Sequence, residues 1–308
     1  MKRLITAATA ASALLLAGCG SGEPAPTVTP AASSAAAAYP VTVGTVTLTA
    51  RPEKIVSLSP TATEMLFAIG AGPQVIAVDD QSTYPAEAPK TDLSGFKPNV
   101  EAIVAKDPDL VVVYGDADGI VAQLGKLAIP VLVSPAAATL DGTFTEITEL
   151  GTLTGHRDEA TALNTKMAAE IDTIVKSVPA RSRPLSYYYE LSPDLYSATS
   201  KTFIGSIFDR FGMTNVADAA DPDGKLGGYP KLSQESLVKA NPDTIFLADT
   251  KCCQQTPETV RARAGWSSMT AVTKGQIYAL DDDIASRWGP RTVELVEAVA
   301  DAVAKVPA

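Results

Sequence analysis

The chain has 308 residues, 46% of them hydrophobic, with 22 Pro and 21 Gly, a globular composition with length enough for two lobes that each bury a core. A formal net charge of −10 excludes nucleic acid and anionic lipid headgroups as natural partners and suits a basic docking partner. The single His and three Cys exclude most His-based catalytic triads and leave no His cluster for zinc or manganese.

Residues 1–18 carry Lys2 and Arg3, then an apolar run, then small residues, which is the layout of an export signal peptide. The run is too short and too Ala-rich to make a good membrane span. Leu16-Ala17-Gly18-Cys19 matches the bacterial lipobox, so Cys19 is the expected lipidation site and mature N-terminus. Losing Lys2 and Arg3 would move the net charge from −10 to −12. Residues 19–38, mostly Pro, Ala, Ser and Thr, read as a flexible tether that holds the exported protein by a lipid anchor at the outer face of the cell membrane.

From residue 39 the chain changes character. Val- and Thr-rich stretches around Gly44 predict a small hairpin. Strands are predicted at 54–59, 74–79, 110–115 and 130–135, with helical spacing of apolar residues in "TATEMLFAIG", "NVEAIVAKD" and "IVAQLGKLA". Val- and Ile-rich runs alternating with helices indicate an α/β lobe, residues 39–150, built on a parallel sheet covered on both faces. Within 151–180, Ala160, Leu163, Met167, Ile171, Ile174, Val175 and Val178 step by three and four, the stripe of one long helix spanning roughly 30 Å. Residues 181–308 repeat the α/β scheme, with strands predicted at 185–192, 243–249 and 276–282. The expected fold is therefore two parallel-sheet α/β lobes joined by a single long helix, with a ligand cleft between them.

The two lobes share a phrase. "NVEAIVAKDPDLVVV" at 99–113 returns as "SQESLVKANPDTIFL" at 233–247, pairing Glu101 with Glu235, Val104 with Val238, Pro108 with Pro242 and Asp109 with Asp243. Asn99 and Ser233 suit N-caps, which puts each Glu in a first turn, where a carboxylate favours the helix dipole. Each Pro should close its helix before the strand begins.

No nucleophile elbow, phosphate loop or H-E-x-x-H pair is present. Gly70-Ala71-Gly72 follows a helix and precedes a strand, so it reads as a helix C-terminus and not a dinucleotide loop. His156, in the polar "TGHRDEA", reads as a solvated residue. Tyr114, Tyr196 and Trp288 stand after strands or in loops, where the carboxyl ends of a parallel sheet form a crevice. In "LDDDIASRWGPR", Arg287 can bind carboxylate, phosphate or amide oxygens and Trp288 can stack on a flat ligand. Cys252 and Cys253 can close a strained vicinal disulfide, pair between molecules, or remain two buried thiols.

On "RPEKIVSLSPTATEMLFAIGAGPQVIAV", "YPAEAPKTDLSGFKPNVEAIVAKDPDLVVV", "KLSQESLVKANPDTIFLA" and "AVTKGQIYALDDD", the chain resembles the substrate-binding proteins of ABC importers for iron-siderophores, haem and vitamin B12, over about residues 51–305. The resemblance implies a non-enzymatic receptor, with no cofactor of its own, that captures a metal chelate and delivers it to a permease dimer and its ATPase. It implies a monomer in which Glu101 and Glu235 dock on arginines of the two permease subunits. It also implies a pocket in which Phe96, Tyr114 and Tyr229 are aromatic walls and Asp283 and Arg287 the polar pair. Gln81 stands where the vitamin B12 binders carry a further aromatic, so the ligand is left open among ferric siderophore, haem and cobalamin. The alternatives are a chelate-sensing surface receptor without transport and a chelatase-like enzyme on the same scaffold.

Overall fold

The computed structural model describes residues 39–307, so the signal peptide, Cys19 and the tether to residue 38 lie outside the described residues. A hairpin of β1 (Val41–Val43) and β2 (Val46–Leu48) turns at Gly44, as expected. The first sheet contains β3 (Ile55–Leu58), β4 (Val75–Asp79), β5 (Lys90–Leu93), β6 (Leu110–Val113) and β7 (Val131–Val133). Its strands run parallel in the order β5-β4-β3-β6-β7. Around it lie helices α1 (Pro60–Ala68), α2 (Val100–Val104), α3 (Ile120–Gly125) and α4 (Leu140–Thr154), and α5 (Arg157–Ser177) follows.

The second sheet is also parallel, in the order β11-β10-β8-β9, from β8 (Ser186–Glu190), β9 (Thr214–Asn215), β10 (Thr244–Leu247) and β11 (Ile277–Ala279). Its helices are α6 (Phe203–Asp209), α7 (Gln234–Ala240), α8 (Pro257–Arg261), α9 (Thr270–Thr273), α10 (Asp282–Ala285) and α11 (Thr292–Lys305). Among the described residues no helix is long and apolar enough to cross a membrane.

The stripe on α5 explains how one helix serves two cores. Ala160 and Met167 pack with the first sheet, while Ile171, Ile174, Val175 and Val178 pack with the second. The second core is aromatic: Tyr187 stacks on Phe208 at 4.2 Å, and Phe246 meets Phe208 edge-on at 4.8 Å. Each such ring, fully withdrawn from water, contributes about 2 to 3 kcal/mol.

Local signals set the ends of α1. Ser59 accepts from the Ala62 N–H at the N-terminus, with Pro60 at the first helical position. At the C-terminus Gly70, with φ of 85°, donates to the Phe67 carbonyl at 3.1 Å and Ala71 to that of Leu66 at 2.8 Å. This is the Schellman arrangement, which needs a residue free to take positive φ.

The shared phrase has a structural reason beyond its helices. Asp109, opening β6, accepts from the Glu53 and Lys54 N–H groups at 2.8 and 3.0 Å, just before β3. Asp243, before β10, accepts from Ser186 N–H at 2.9 Å at the start of β8, and Arg183 forks onto it. Both carboxylates therefore pin the register of the strand next door. The residues before the two prolines, Asp107 and Asn241, take left-handed φ of 52° and 48°, a conformation that short polar side chains tolerate.

Candidate functional site

Parallel strands deliver their following loops to one edge of the sheet, and here both sheets send theirs to a common cavity of about 280 Å³. From the first sheet come Ser59, Asp79, Gln81, Gly95, Phe96 and Tyr114; from the segment after β11 come Asp283, Ser286, Arg287 and Trp288. The predicted Phe96, Tyr114, Asp283, Arg287 and Trp288 thus meet across more than 160 residues of sequence. Phe96 and Tyr114 pack edge to face at 5.6 Å, and Phe96 is left 66% exposed. Tyr196 and Tyr229 stand outside this lining, each 45% exposed on the second half, with the Lys231 ammonium 5.5 Å over the Tyr196 ring.

Arg287 is not a free anchor. It donates to the Glu64 carboxylate at 2.9 Å, to the Gln81 carbonyl at 3.1 Å and to Asp283 at 3.1 Å. Arg291 forks onto the same Glu64 at 3.0 and 2.6 Å and lies 4.4 Å over the Tyr84 ring. Glu64 is only 2% exposed, on α1 of the first half, so one buried carboxylate clamps two arginines of the second. Gln81 contributes its backbone: its carbonyl holds Arg287 at the cavity wall.

Trp288 is fastened in the same way. Its indole N–H donates to Glu146 at 3.1 Å, Glu146 also accepts from Ser134 at 2.6 Å, and Thr143 donates to the Trp288 carbonyl at 2.9 Å. Burial pushes the Glu146 carboxyl above its ordinary range, and burial does the same to Asp79 in the cavity floor. The indole N–H is committed to Glu146, so what Trp288 offers a ligand is its ring.

Gly95 marks where two backbones crowd this floor. A Cβ there would lie 2.6 Å from the Leu58 carbonyl oxygen and 3.0 Å from Asp79. Gly95→Ala must push the loop bearing Phe96 away from β3, and the expected result is loss of ligand affinity with a stability loss of about 1 to 3 kcal/mol. Isothermal titration beside urea unfolding checks it; unchanged affinity would show that the Phe96 loop is not part of the site.

The duplicated helices present Glu101 and Glu235 in first turns, both exposed. Asn99 caps α2 by accepting from Ala102 at 3.1 Å, and Ser233 caps α7 in a reciprocal pair with Ser236 at 3.0 and 3.2 Å. Neither Glu pairs with a base among the described residues.

His156 departs from the solvated reading. Its side chain is only 15% exposed, and its Nε2 lies 2.7 Å from Arg51 and 3.1 Å from Gln74. Packing of the chain entering β3 against the α4–α5 corner encloses it, and burial together with Arg51 lowers its pKa. Cys252 and Cys253 are free thiols, Cys252 exposed and Cys253 partly covered, in a turn after β10.

A second buried acid group was not visible in the sequence. Glu190 ends β8 and Asp249 lies just past the end of the neighbouring strand β10, and both are fully buried. Arg263 forks onto Glu190 at 2.6 Å on both arms, whereas neither Asp249 oxygen has a hydrogen-bond donor among the described residues. Burial, reinforced by Glu190, pushes the Asp249 carboxyl up to about 7. An unfolded Asp titrates near 4, so the folded protein holds the extra proton between those values. Stability is then expected to fall as pH rises from about 4 to about 7 and to level off above, a slope that Asp249→Asn should flatten. Urea midpoints at about pH 5 and pH 8 measure it, and a midpoint that rises over this interval in a manner dependent on Asp249 would refute the assignment.

Comparison with known proteins places these features in context. The model of a periplasmic binding protein family matches residues 55–284. An uncharacterized ABC transporter substrate-binding lipoprotein of Bacillus subtilis is 32% identical, covering 97% of this chain and 96% of its own. A cobalamin-binding protein of Halobacterium salinarum is 31% identical over 83% of this chain and 71% of its own. Among solved structures, a Staphylococcus epidermidis protein described as a possible iron-binding periplasmic solute-binding protein superposes with a TM-score of 0.73 at 26% identity, covering 83% of this chain and all of that one.

Proposed function

The chain belongs to the periplasmic binding protein family, and on that premise we propose that it is the receptor of an ABC importer, exported and held by lipid at Cys19, that captures a corrinoid or a closely similar metal chelate. The observation that carries this reading is the cavity where both sheets end, walled by Phe96, Tyr114 and Trp288 and edged by Asp283 and Arg287. Aromatic faces supply burial for a large flat ligand, and the polar pair supplies orientation. At about 280 Å³ the cavity seats one part of such a ligand, and the exposed Phe96, Tyr196 and Tyr229 offer further apolar contact.

The lining contains no His, Cys or Met, and its metal-donor candidates are the Tyr114 phenol and carboxylates. That set suits a chelate whose metal already carries its ligands; the Tyr114 phenol is the kind of axial donor that haem iron also takes, so the corrinoid reading rests on the similarity to a cobalamin-binding relative. The function needs no bond-making step. Glu101 and Glu235 would carry the loaded receptor to the two subunits of a permease, which its ATPase then drives.

The test is a thermal-shift panel of cyanocobalamin, cobinamide, haemin and ferric siderophores on the mature protein. Ligand at a hundredfold over Kd stabilises by about 2.7 kcal/mol, so the expected result is a rise of several degrees with the corrinoids. A rise with haemin alone would replace the corrinoid by haem, and no rise with any of them would overturn chelate capture.

A further inference from the structure

The turn that carries Cys252 and Cys253 is bound to the cleft by a short, continuous network. Asp282 accepts from Thr250 N–H at 2.8 Å, from the Thr250 hydroxyl at 2.7 Å, and from the N–H groups of Lys251 and Cys252, each at 2.9 Å. The Lys251 ammonium bridges Asp281 at 2.6 Å and Asp283 at 2.9 Å. Asp283 in turn holds Arg287 at the cavity wall. The two sulfurs lie 2.6 Å apart, with Cys252 exposed to an incoming reagent.

We propose that Cys252 and Cys253 form a reversible dithiol–disulfide couple whose oxidation loosens the segment that carries Asp283 at the edge of the cleft. The chemistry is exchange with the disulfide of an external thiol oxidant. One cysteine thiolate, a minor species at Cys252 because burial and the adjacent Cys253 push its thiol up to about 12, attacks that disulfide, forms a mixed disulfide and expels the first external thiolate. The second cysteine thiolate then attacks its neighbour's sulfur, closes the vicinal S–S bond and expels the second. The two protons lost by the cysteines are taken up by the two leaving thiolates, so the pair is oxidised and the external disulfide reduced to two thiols.

Covalent geometry explains why such a couple would be reversible and mechanically active. Adjacent Cα atoms stand about 3.8 Å apart, shorter than the roughly 4.4 to 6.8 Å that an unstrained disulfide prefers, so closing the ring twists the intervening peptide. Strained, exposed disulfides have the more oxidising potentials typical of labile, regulatory bonds. The peptide that must twist starts at the carbonyl of Cys252, the residue whose N–H Asp282 holds, so closing the ring strains that hydrogen bond and, through Asp282, α10. This inference is independent of which ligand the cleft takes.

The experiment equilibrates the full mature chain with oxidised or reduced glutathione, then quenches with N-ethylmaleimide for intact-mass analysis, with hydrogen–deuterium exchange run in parallel. After oxidation the expected species is a monomer lighter by two hydrogens that takes up no maleimide at Cys252 or Cys253. In that species the amides of 250–252 and 282–286 should exchange about tenfold faster than in the reduced protein. In Cys252→Ser and Cys253→Ser the remaining thiol should instead carry one glutathione, with exchange at 282–286 unchanged by the redox buffer. Two maleimides after oxidation, or a covalent dimer, would overturn the couple. Equal exchange in the verified oxidised and reduced forms would overturn its link to the cleft.

Discussion

Glu64→Ala is expected to lower the unfolding free energy by about 3 to 5 kcal/mol, because it leaves the Arg287 and Arg291 guanidinium groups buried without their shared carboxylate. For a chain of this size that is a fall in Tm on the order of 10 °C. Both arginine side chains are only 11% and 15% exposed, so water compensates little of the loss. Ligand affinity should fall as well, since Arg287 then keeps only Gln81 and Asp283 as anchors. Pairing Glu64→Met with Arg291→Leu should restore part of the stability, since removing both members of a buried pair costs far less than removing one. A Glu64→Ala protein that melts with the wild type would show that the clamp does not hold the two halves.

Charge reversal at both proposed docking positions should produce the opposite profile. Glu101→Lys with Glu235→Lys is expected to reduce uptake of the chelate to the level of cells lacking the receptor, with Kd for the chelate unchanged. Both side chains are exposed and lie outside the cavity lining, and reversing a first-turn charge costs only about 0.3 to 1 kcal/mol per helix. Each single reversal should give an intermediate rate, since one lobe could still dock. Uptake assays beside titration calorimetry separate the two effects; uptake that survives the double reversal would remove Glu101 and Glu235 from the docking assignment.

Some features were legible because their cause is local. The apolar runs located seven strands to within two or three residues, and the periodic stripe located α5 almost end to end, at Arg157–Ser177. The elements that escaped have weak local signatures. α4 is rich in Thr and contains two Gly, poor helix formers, and is held instead by burying Ile147, Leu150 and Leu153 against the first core. β5, "KTDL", is an edge strand without alternation, and β9 is two residues long.

The site divides along the same line. Phe96, Tyr114, Asp283, Arg287 and Trp288 could be named because aromatics and charges just after strands fall at the carboxyl edge of any parallel sheet. By itself the sequence determined the two α/β sheets, the duplicated capped helices with Glu101 and Glu235, and this edge. Only the tertiary structure decided what each polar group there is doing. Glu64 is one acid in an apolar helix, and its role is set only when residues 223 and 227 positions further on close over it. Asp109 and Asp243 are two identical positions of the repeated phrase in the sequence, and their role is set only by the N–H groups that the adjacent strands bring to them. Hydrophobic periodicity is written along the chain because burial acts on each residue nearly independently. A buried carboxylate's partner is chosen only when distant segments pack, since the cost of leaving it unpaired arises only once water has been excluded.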